Sequence, residues 1–187
     1  MDKDNAIFNL VSESCLPLHT FQTMKTALFE ANKSIVNACD QPKSLEGRYI
    51  PELDSIPGMN SKMWRKSSQW FSLTRSHAEL VVNDNVLIKP FMKGALIDEH
   101  YIPTLLAWKN LEAETTCRGG FAYVKFMGHP HPQTFYPRDI NSELFKQLRE
   151  DAYCSGTKLC HFTARKFSVS CISKLYEHID DILVSAS

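Results

Sequence analysis

The chain has 187 residues, of which 43% are hydrophobic and 22% are charged, as in an ordinary globular protein. Lysine and arginine together number 21, as do aspartate and glutamate, so no overall charge would attract nucleic acid or an anionic membrane surface. No stretch reaches the roughly 20 apolar residues of a membrane-spanning helix, and no signal peptide is expected before the first predicted strand.

The first half of the chain is predicted to alternate strands and helices. Residues 7–11 form an apolar run typical of a strand, and residues 20–32 place apolar side chains at helical spacing. Proline and glycine recur through residues 40–63, which predicts a long loop of the kind that is often functional. A second strand is predicted at residues 70–73, and Thr74 is expected to cap the helix that follows it.

The second half of the chain continues this alternation. A helix is predicted at residues 98–109, a strand at 121–126 and a short helix at 141–151 with Asn141 or Ser142 as its cap. A strand at 159–163 then leads into a final amphipathic helix. Its predicted apolar face comprises Val169, Ile172, Leu175, Tyr176, Ile179 and Leu183. The pattern predicts an α/β fold with a mixed sheet flanked by helices.

Three polar side chains precede the apolar run of the 98–109 helix. Asp98, Glu99 and His100 stand where this helix begins. Acids near a helix N-terminus complement the helix dipole, so capping is one explanation. A catalytic base at the mouth of a pocket is the other explanation, and the spacing alone favours capping.

A metal site has weak support in the sequence. His129 and His131 have the spacing of two ligands on a strand, but they alternate with prolines, which favours a stiff turn. Asp98, Glu99 or His100 could complete such a site, and the two histidines with Glu99 and His100 would suggest a metal-dependent hydrolase. The chain has one aspartate–x–aspartate pattern, Asp2–Lys3–Asp4, which stands ahead of the first predicted strand.

The six cysteines stand at positions 15, 39, 117, 154, 160 and 171, too scattered for a zinc ribbon or a redox CxxC site. Cys154 and Cys160 flank a turn-like stretch, and an oxidising compartment would allow them to form a disulfide. Buried free thiols are the alternative.

Five stretches of the sequence together resemble a known family. In order they are FNLVSESCLPLHTF, WRKSSQWFSLTRSHAELVVND, IDEHYIPTLL, GHPHPQTFYPRDI and CHFTARKF. They are similar to the core-2/I-branching β-1,6-N-acetylglucosaminyltransferases, especially the plant-type branch. The resemblance runs from about residue 7 to about residue 183. It implies that residues 1–187 form one domain, the C-terminal portion of a GT-A-like glycosyltransferase fold, without the family's membrane anchor and N-terminal nucleotide-binding half.

The resemblance also implies an activity. Such an enzyme transfers a sugar, here N-acetylglucosamine, from a UDP-sugar to a glycan or glycoprotein acceptor in the Golgi lumen, with inversion and without a metal or other cofactor. Membrane association is expected only through the missing anchor. A non-catalytic remnant with at most glycan-binding ability is the alternative, and a metal-dependent hydrolase is a weaker one.

The resemblance assigns roles to several charged residues. Glu99 corresponds to the family's catalytic base, while Asp98 remains the structural cap. Lys166 corresponds to the lysine that neutralises the donor diphosphate, and Arg165 and Lys158 are further candidates for binding it. We expect Glu99, Lys166 and the end of the first strand to converge on one cleft.

The remaining candidates are contacts to donor or acceptor and one disulfide. Ser12, Glu13 and Ser14 lie where the first predicted strand ends, where a simple turn is equally compatible. Trp64, Trp70 and Phe126 are candidates to stack on sugar rings, with core packing as the alternative, and Arg65 and Lys66 are expected either near the acceptor or on a solvated loop. The resemblance implies that Cys154 and Cys160 form a short-range disulfide.

Overall fold

The computed structural model describes residues 3–39, 48–92, 97–117, 120–128, 131–149 and 161–183. The strands in these ranges are β1 (Ile7–Asn9), β2 (Leu16–Pro17), β3 (Ser72–Thr74), β4 (Ala122–Val124) and β5 (Thr163–Arg165). The helices are α1 (Phe21–Ala31), α2 (Arg75–Asn83), α3 (Ile88–Phe91), α4 (Ile97–Trp108), α5 (Ser142–Arg149), α6 (Ile172–Glu177) and α7 (Ile179–Ile182). The predicted α/β class is confirmed. In the part of the chain described, no helix combines the length and the apolar character that a membrane span requires.

The chain divides into two compact units. The first comprises Met1–Leu10 and Asn32–Arg118, and the second comprises Val11–Ala31 and Gly119–Ser187. Residues 11–31 therefore interrupt the first unit in the sequence and belong to the second. The prediction that residues 1–187 form one glycosyltransferase domain stays a prediction.

The first unit is built around α4. This helix is apolar on nearly every side and most of its residues are buried. Pro103, in the interior of the helix, is one of the buried residues. Leu53, Leu87, Phe91 and Leu105 are fully buried in the cluster that packs against it. In the same unit β1 pairs antiparallel with β3. Burial of these apolar side chains supplies the main driving force for folding this unit.

A disulfide between Cys39 and Cys117 closes the first unit. The two stretches that it joins also pair through their backbones, since Ser34 N–H donates to Glu114 O at 3.1 Å and Thr116 N–H donates to Ser34 O at 3.0 Å. The spacing of the cysteines gave no indication of this pair, because the two residues are 78 positions apart.

The second unit contains a three-stranded sheet in the order β2, β5, β4. β5 pairs antiparallel with β2 and parallel with β4, so the sheet is mixed, as predicted. Leu18, Phe145, Ala164 and Ile182 are fully buried in the core between this sheet and helices α5 and α7. Short strands are sufficient here because the packed helices supply much of the buried surface.

The predicted strands are correct in existence but not in their ends. Residues 7–11 shorten to β1 at 7–9, residues 70–73 shift to β3 at 72–74, and residues 121–126 shorten to β4 at 122–124. The strand predicted at 159–163 is β5 at 163–165, with residues 159 and 160 outside the described ranges. An apolar run indicates where a strand lies. The ends of the strand depend on how far the neighbouring strand continues to form backbone hydrogen bonds with it.

Two of the three predicted helix caps are found. Thr74 is the N-cap residue of α2, although its side chain makes no capping hydrogen bond. Asn141 caps α5, since its Oδ1 accepts from Leu144 N–H at 2.9 Å. Asp98, by contrast, lies inside α4 and is exposed, so its prediction as the cap residue is wrong.

The predicted final helix is wrong as a continuous element. A 3₁₀ turn at Val169–Cys171 leads into α6, and a break in the helix at His178 separates α6 from α7. Much of the predicted apolar face is exposed, with Val169 at 81% and Tyr176 at 73%, while Cys171 and Ile182 are fully buried. A helical period counted through the break assigned these side chains to the wrong side.

Candidate active site

Glu99 lies in the first turn of α4, with its side chain 29% exposed. Its Oε2 is 3.2 Å from Lys66 Nζ and 3.6 Å from Arg48 Nη1. Both cations are themselves partly exposed. The carboxylate is thus held at the surface of the first unit and is accessible to a ligand from solvent.

The backbone fixes the segment around Lys66 against the first turn of α4. Ser67 N–H donates to Glu99 O at 2.9 Å, and His100 Nδ1 is 2.7 Å from Arg65 O. Because a carbonyl only accepts, His100 carries its proton on Nδ1. Arg65 N–H also donates to Thr104 Oγ1 one turn later, at 3.1 Å. Three hydrogen bonds therefore hold this segment along α4.

His100 belongs to the core and does not share the exposure of Glu99. It is 1% exposed, and its ring stacks on Trp64 with 4.4 Å between centroids. Burial lowers the pKa of His100, and the bond to Arg65 only partly offsets that effect, so the imidazole is neutral at pH 7. Trp64 is 6% exposed and packs in the core, so of the two explanations left open for it the structure supports core packing.

This packing also bears on the hydrolase alternative. His100 is 1% exposed and its ring stacks on Trp64 in the core, so it does not share the solvent access of Glu99. Within the described ranges, no three His, Cys, Asp or Glu side chains come together as a metal site would require. His129 lies outside those ranges.

In the second unit, the turn at Ser12–Cys15 meets the chain that leaves β5. Cys15 N–H donates to Ser12 O at 3.1 Å, and the hydroxyls of Ser12 and Ser14 are 3.1 Å apart. Phe167 N–H donates to Ser14 O at 3.2 Å. The structure therefore brings Ser14 next to the stretch that contains Lys166.

Lys166 itself is exposed at the end of this strand. Its backbone carbonyl accepts from Phe135 N–H at 2.7 Å. This bond fixes the backbone at Lys166. The side chain is exposed, so its ammonium group is accessible to an anionic ligand.

Comparison with known proteins identifies the family. The core-2/I-branching enzyme family model matches residues 1–149, which include Glu99 with Lys66 and Arg48. The chain belongs to the core-2/I-branching enzyme family. It is also 34% identical to glycosyltransferase BC10 of Oryza sativa subsp. japonica over 183 residues, 80% of this chain and 45% of that protein. The chain thus spans a little under half the length of this curated relative.

The mixed α/β structure is consistent with the glycosyltransferase fold of the core-2/I-branching family. The family match ends before Arg165 and Lys166, so the diphosphate-binding role of these two residues stays a prediction. Arg165 is half-buried on β5. Glu99 lies in the first unit and Lys166 in the second, and their convergence on one cleft also stays a prediction.

The other predicted site residues of this core-2/I-branching chain are placed as follows. Glu13 is exposed, Trp70 is half-buried just before β3, and Phe126 is 58% exposed after β4. Contacts of these residues with sugars stay predictions. Lys158, Cys154 and Cys160 lie outside the described residues, so the predicted short-range disulfide is not described either.

Sequence reasoning missed or left open two features of the Glu99 surroundings. Arg48 was not predicted, and no local signal indicates it because it lies in a different stretch of the chain. Arg65 and Lys66 were expected either near the acceptor or on a solvated loop. Lys66 contacts Glu99. Arg65 is instead 6% exposed, with its Nε donating to Ala38 O at 2.9 Å and its Nη2 3.6 Å from Glu112. Arg65 is therefore a structural residue.

Proposed function

We propose that this chain is a glycosyltransferase that moves a sugar, N-acetylglucosamine in the first instance, from a UDP-sugar to a hydroxyl of a glycan or glycoprotein. The transfer inverts the anomeric configuration and needs no metal. The observation that carries the proposal is the Glu99 carboxylate, partly exposed in the first turn of α4, within the part of the chain that matches the core-2/I-branching family.

The proposed reaction needs a base for the acceptor hydroxyl. As that oxygen attacks the anomeric carbon, its proton has to move to a group within hydrogen-bonding reach. Glu99 supplies a carboxylate that is accessible to solvent and fixed by its helix and by two neighbouring cations. These features support its assignment as the base, because a general base has to be both positioned and reachable.

The departing UDP needs positive charge to stabilise its developing negative charge. In this proposal Lys166 supplies it, assisted by Arg165 and Lys158. One charge-assisted hydrogen bond between a lysine and a phosphate contributes about 1.5–3 kcal/mol. Two or three such bonds are comparable with the stabilisation that other transferases obtain from a bound divalent ion, which supports a metal-independent mechanism.

We place the enzyme on the lumenal side of the Golgi membrane. The disulfide between Cys39 and Cys117 supports this proposal, since disulfides persist in the oxidising secretory pathway and are rare in the cytosol.

The first test of this function is a transfer assay with a panel of UDP-sugars and glycan acceptors, with and without EDTA. We expect transfer from at least one UDP-sugar and a rate that EDTA leaves unchanged, because lysine and arginine side chains replace the metal. Inhibition by EDTA that manganese reverses would contradict the metal-independent mechanism. Binding of glycans without transfer would support the non-catalytic alternative.

The second test concerns the diphosphate site. Lys166→Ala is expected to weaken UDP binding by about 10- to 100-fold, the equivalent of one charge-assisted hydrogen bond. Calorimetric titration with UDP measures this directly. Lys146→Ala is the matched control, because Lys146 is also an exposed lysine and lies in α5 of the same unit. Equal UDP affinity in both variants would show that Lys166 does not bind the donor.

A further inference from the structure

The two oxygens of Glu99 have different surroundings. Both neighbouring cations make their closest approach at Oε2, Lys66 at 3.2 Å and Arg48 at 3.6 Å. The outermost torsion of a glutamate side chain has a broad energy profile, so the carboxylate plane rotates readily unless a partner holds it. Lys66, the nearer cation, is therefore the group that restricts this rotation most.

The backbone holds Lys66 in place for this contact. The residues on either side of it are both bonded to the turn that carries Glu99: Arg65 O accepts from His100 Nδ1–H at 2.7 Å, and Ser67 N–H donates to Glu99 O at 2.9 Å. The side chain of Lys66 thus starts next to the carboxylate, and fewer of its conformations are lost when the ion pair forms.

We infer that Lys66 is a positioning residue for the base, holding Oε2 of Glu99 so that Oε1 is the atom that accepts the proton. The inference rests on the proposed glycosyltransferase function. In the transfer step the acceptor oxygen bonds to the anomeric carbon while its proton moves to Oε1. The bond from that carbon to the diphosphate breaks, and its electron pair leaves with UDP. Lys66 remains protonated and is not consumed.

The test compares the unmodified chain with Lys66→Met, Lys66→Gln and Lys66→Arg. Loss of the cation is expected to lower kcat by about 10- to 100-fold, as for a misplacement of a catalytic group by about 1 Å. The KM values for donor and acceptor should stay within about twofold, because the contact affects the base and not substrate binding. Lys66→Arg should restore most of kcat. In a Glu99→Gln background, Lys66→Met should have no further effect, since no base remains to be positioned.

Lys62→Met is the matched control, because Lys62 is an exposed lysine of the same stretch and contacts Glu99 through no ion pair in the described part of the chain. Circular dichroism checks that each variant is folded. Lys66→Met and Lys66→Gln both remove the cation but differ in polarity, so if one of them misfolds the other still provides the test. If Glu99→Gln is inactive but Lys66→Met and Lys66→Gln keep the normal kcat, the inference is overturned and the proposed function stands. A raised acceptor KM with unchanged kcat overturns it as well. If the unmodified chain transfers no sugar, both fail.

Discussion

Replacing Glu99 with glutamine is expected to lower kcat by about 10²- to 10⁴-fold, the usual cost of losing a general base. Glutamine keeps the size of the side chain and most of its hydrogen bonding but has no oxygen that takes up a proton at neutral pH. The affinity for UDP should stay nearly normal, since the donor diphosphate is assigned to Lys166. Steady-state kinetics for turnover and calorimetry for UDP binding separate these two expectations.

Asp98→Asn provides the matched control for this experiment. Asp98 is the adjacent acid of the same helix turn, and it is exposed, so the substitution removes an equal charge from nearly the same place. We expect Asp98→Asn to retain most of the activity. Normal turnover in Glu99→Gln would show that Glu99 is not the base and only stabilises the N-terminal turn of α4. That is the explanation favoured by its position in the sequence alone.

Removing the disulfide is expected to have the largest effect on stability. Because Cys39 and Cys117 are 78 positions apart, the loop-entropy relation predicts that replacing both with serine lowers the free energy of unfolding by about 4.5 kcal/mol. The bond also holds together the backbone pairing of Ser34 with Glu114 and Thr116, which should loosen with it. Urea denaturation of the oxidised chain and of the double variant measures the difference.

Cys15→Ser is the control for the loss of a thiol, since Cys15 is not in a disulfide. It should change the unfolding free energy far less than the double variant does. Mass spectrometry of the unreduced, alkylated chain gives an independent check, in which Cys39 and Cys117 should appear as one cross-linked peptide. Free thiols at both positions, or equal stability of the double variant and the unmodified chain, would contradict the pairing.

Local features of this protein were determined by the sequence itself. The apolar period of residues 98–109 indicated α4 and put Glu99 in its first turn, and Asn141 was one of the two residues predicted to cap α5. The family also followed from short stretches, and the comparison confirmed it. The two helix inferences depend on residues within a few positions of one another, where side-chain spacing and hydrogen bonding are set by the helix geometry alone.

Other features were decided only by the tertiary structure. These are the pairing of Cys39 with Cys117, the strand order β2, β5, β4, and the placement of Lys66 and Arg48 beside Glu99. The interruption of the predicted final helix at His178 belongs with them. A periodic pattern states which residues of one segment share a side, but it does not state which distant segment covers that side. That choice depends on packing and hydrogen bonding between segments far apart in the chain, so the partners of Glu99 became visible only in the folded protein.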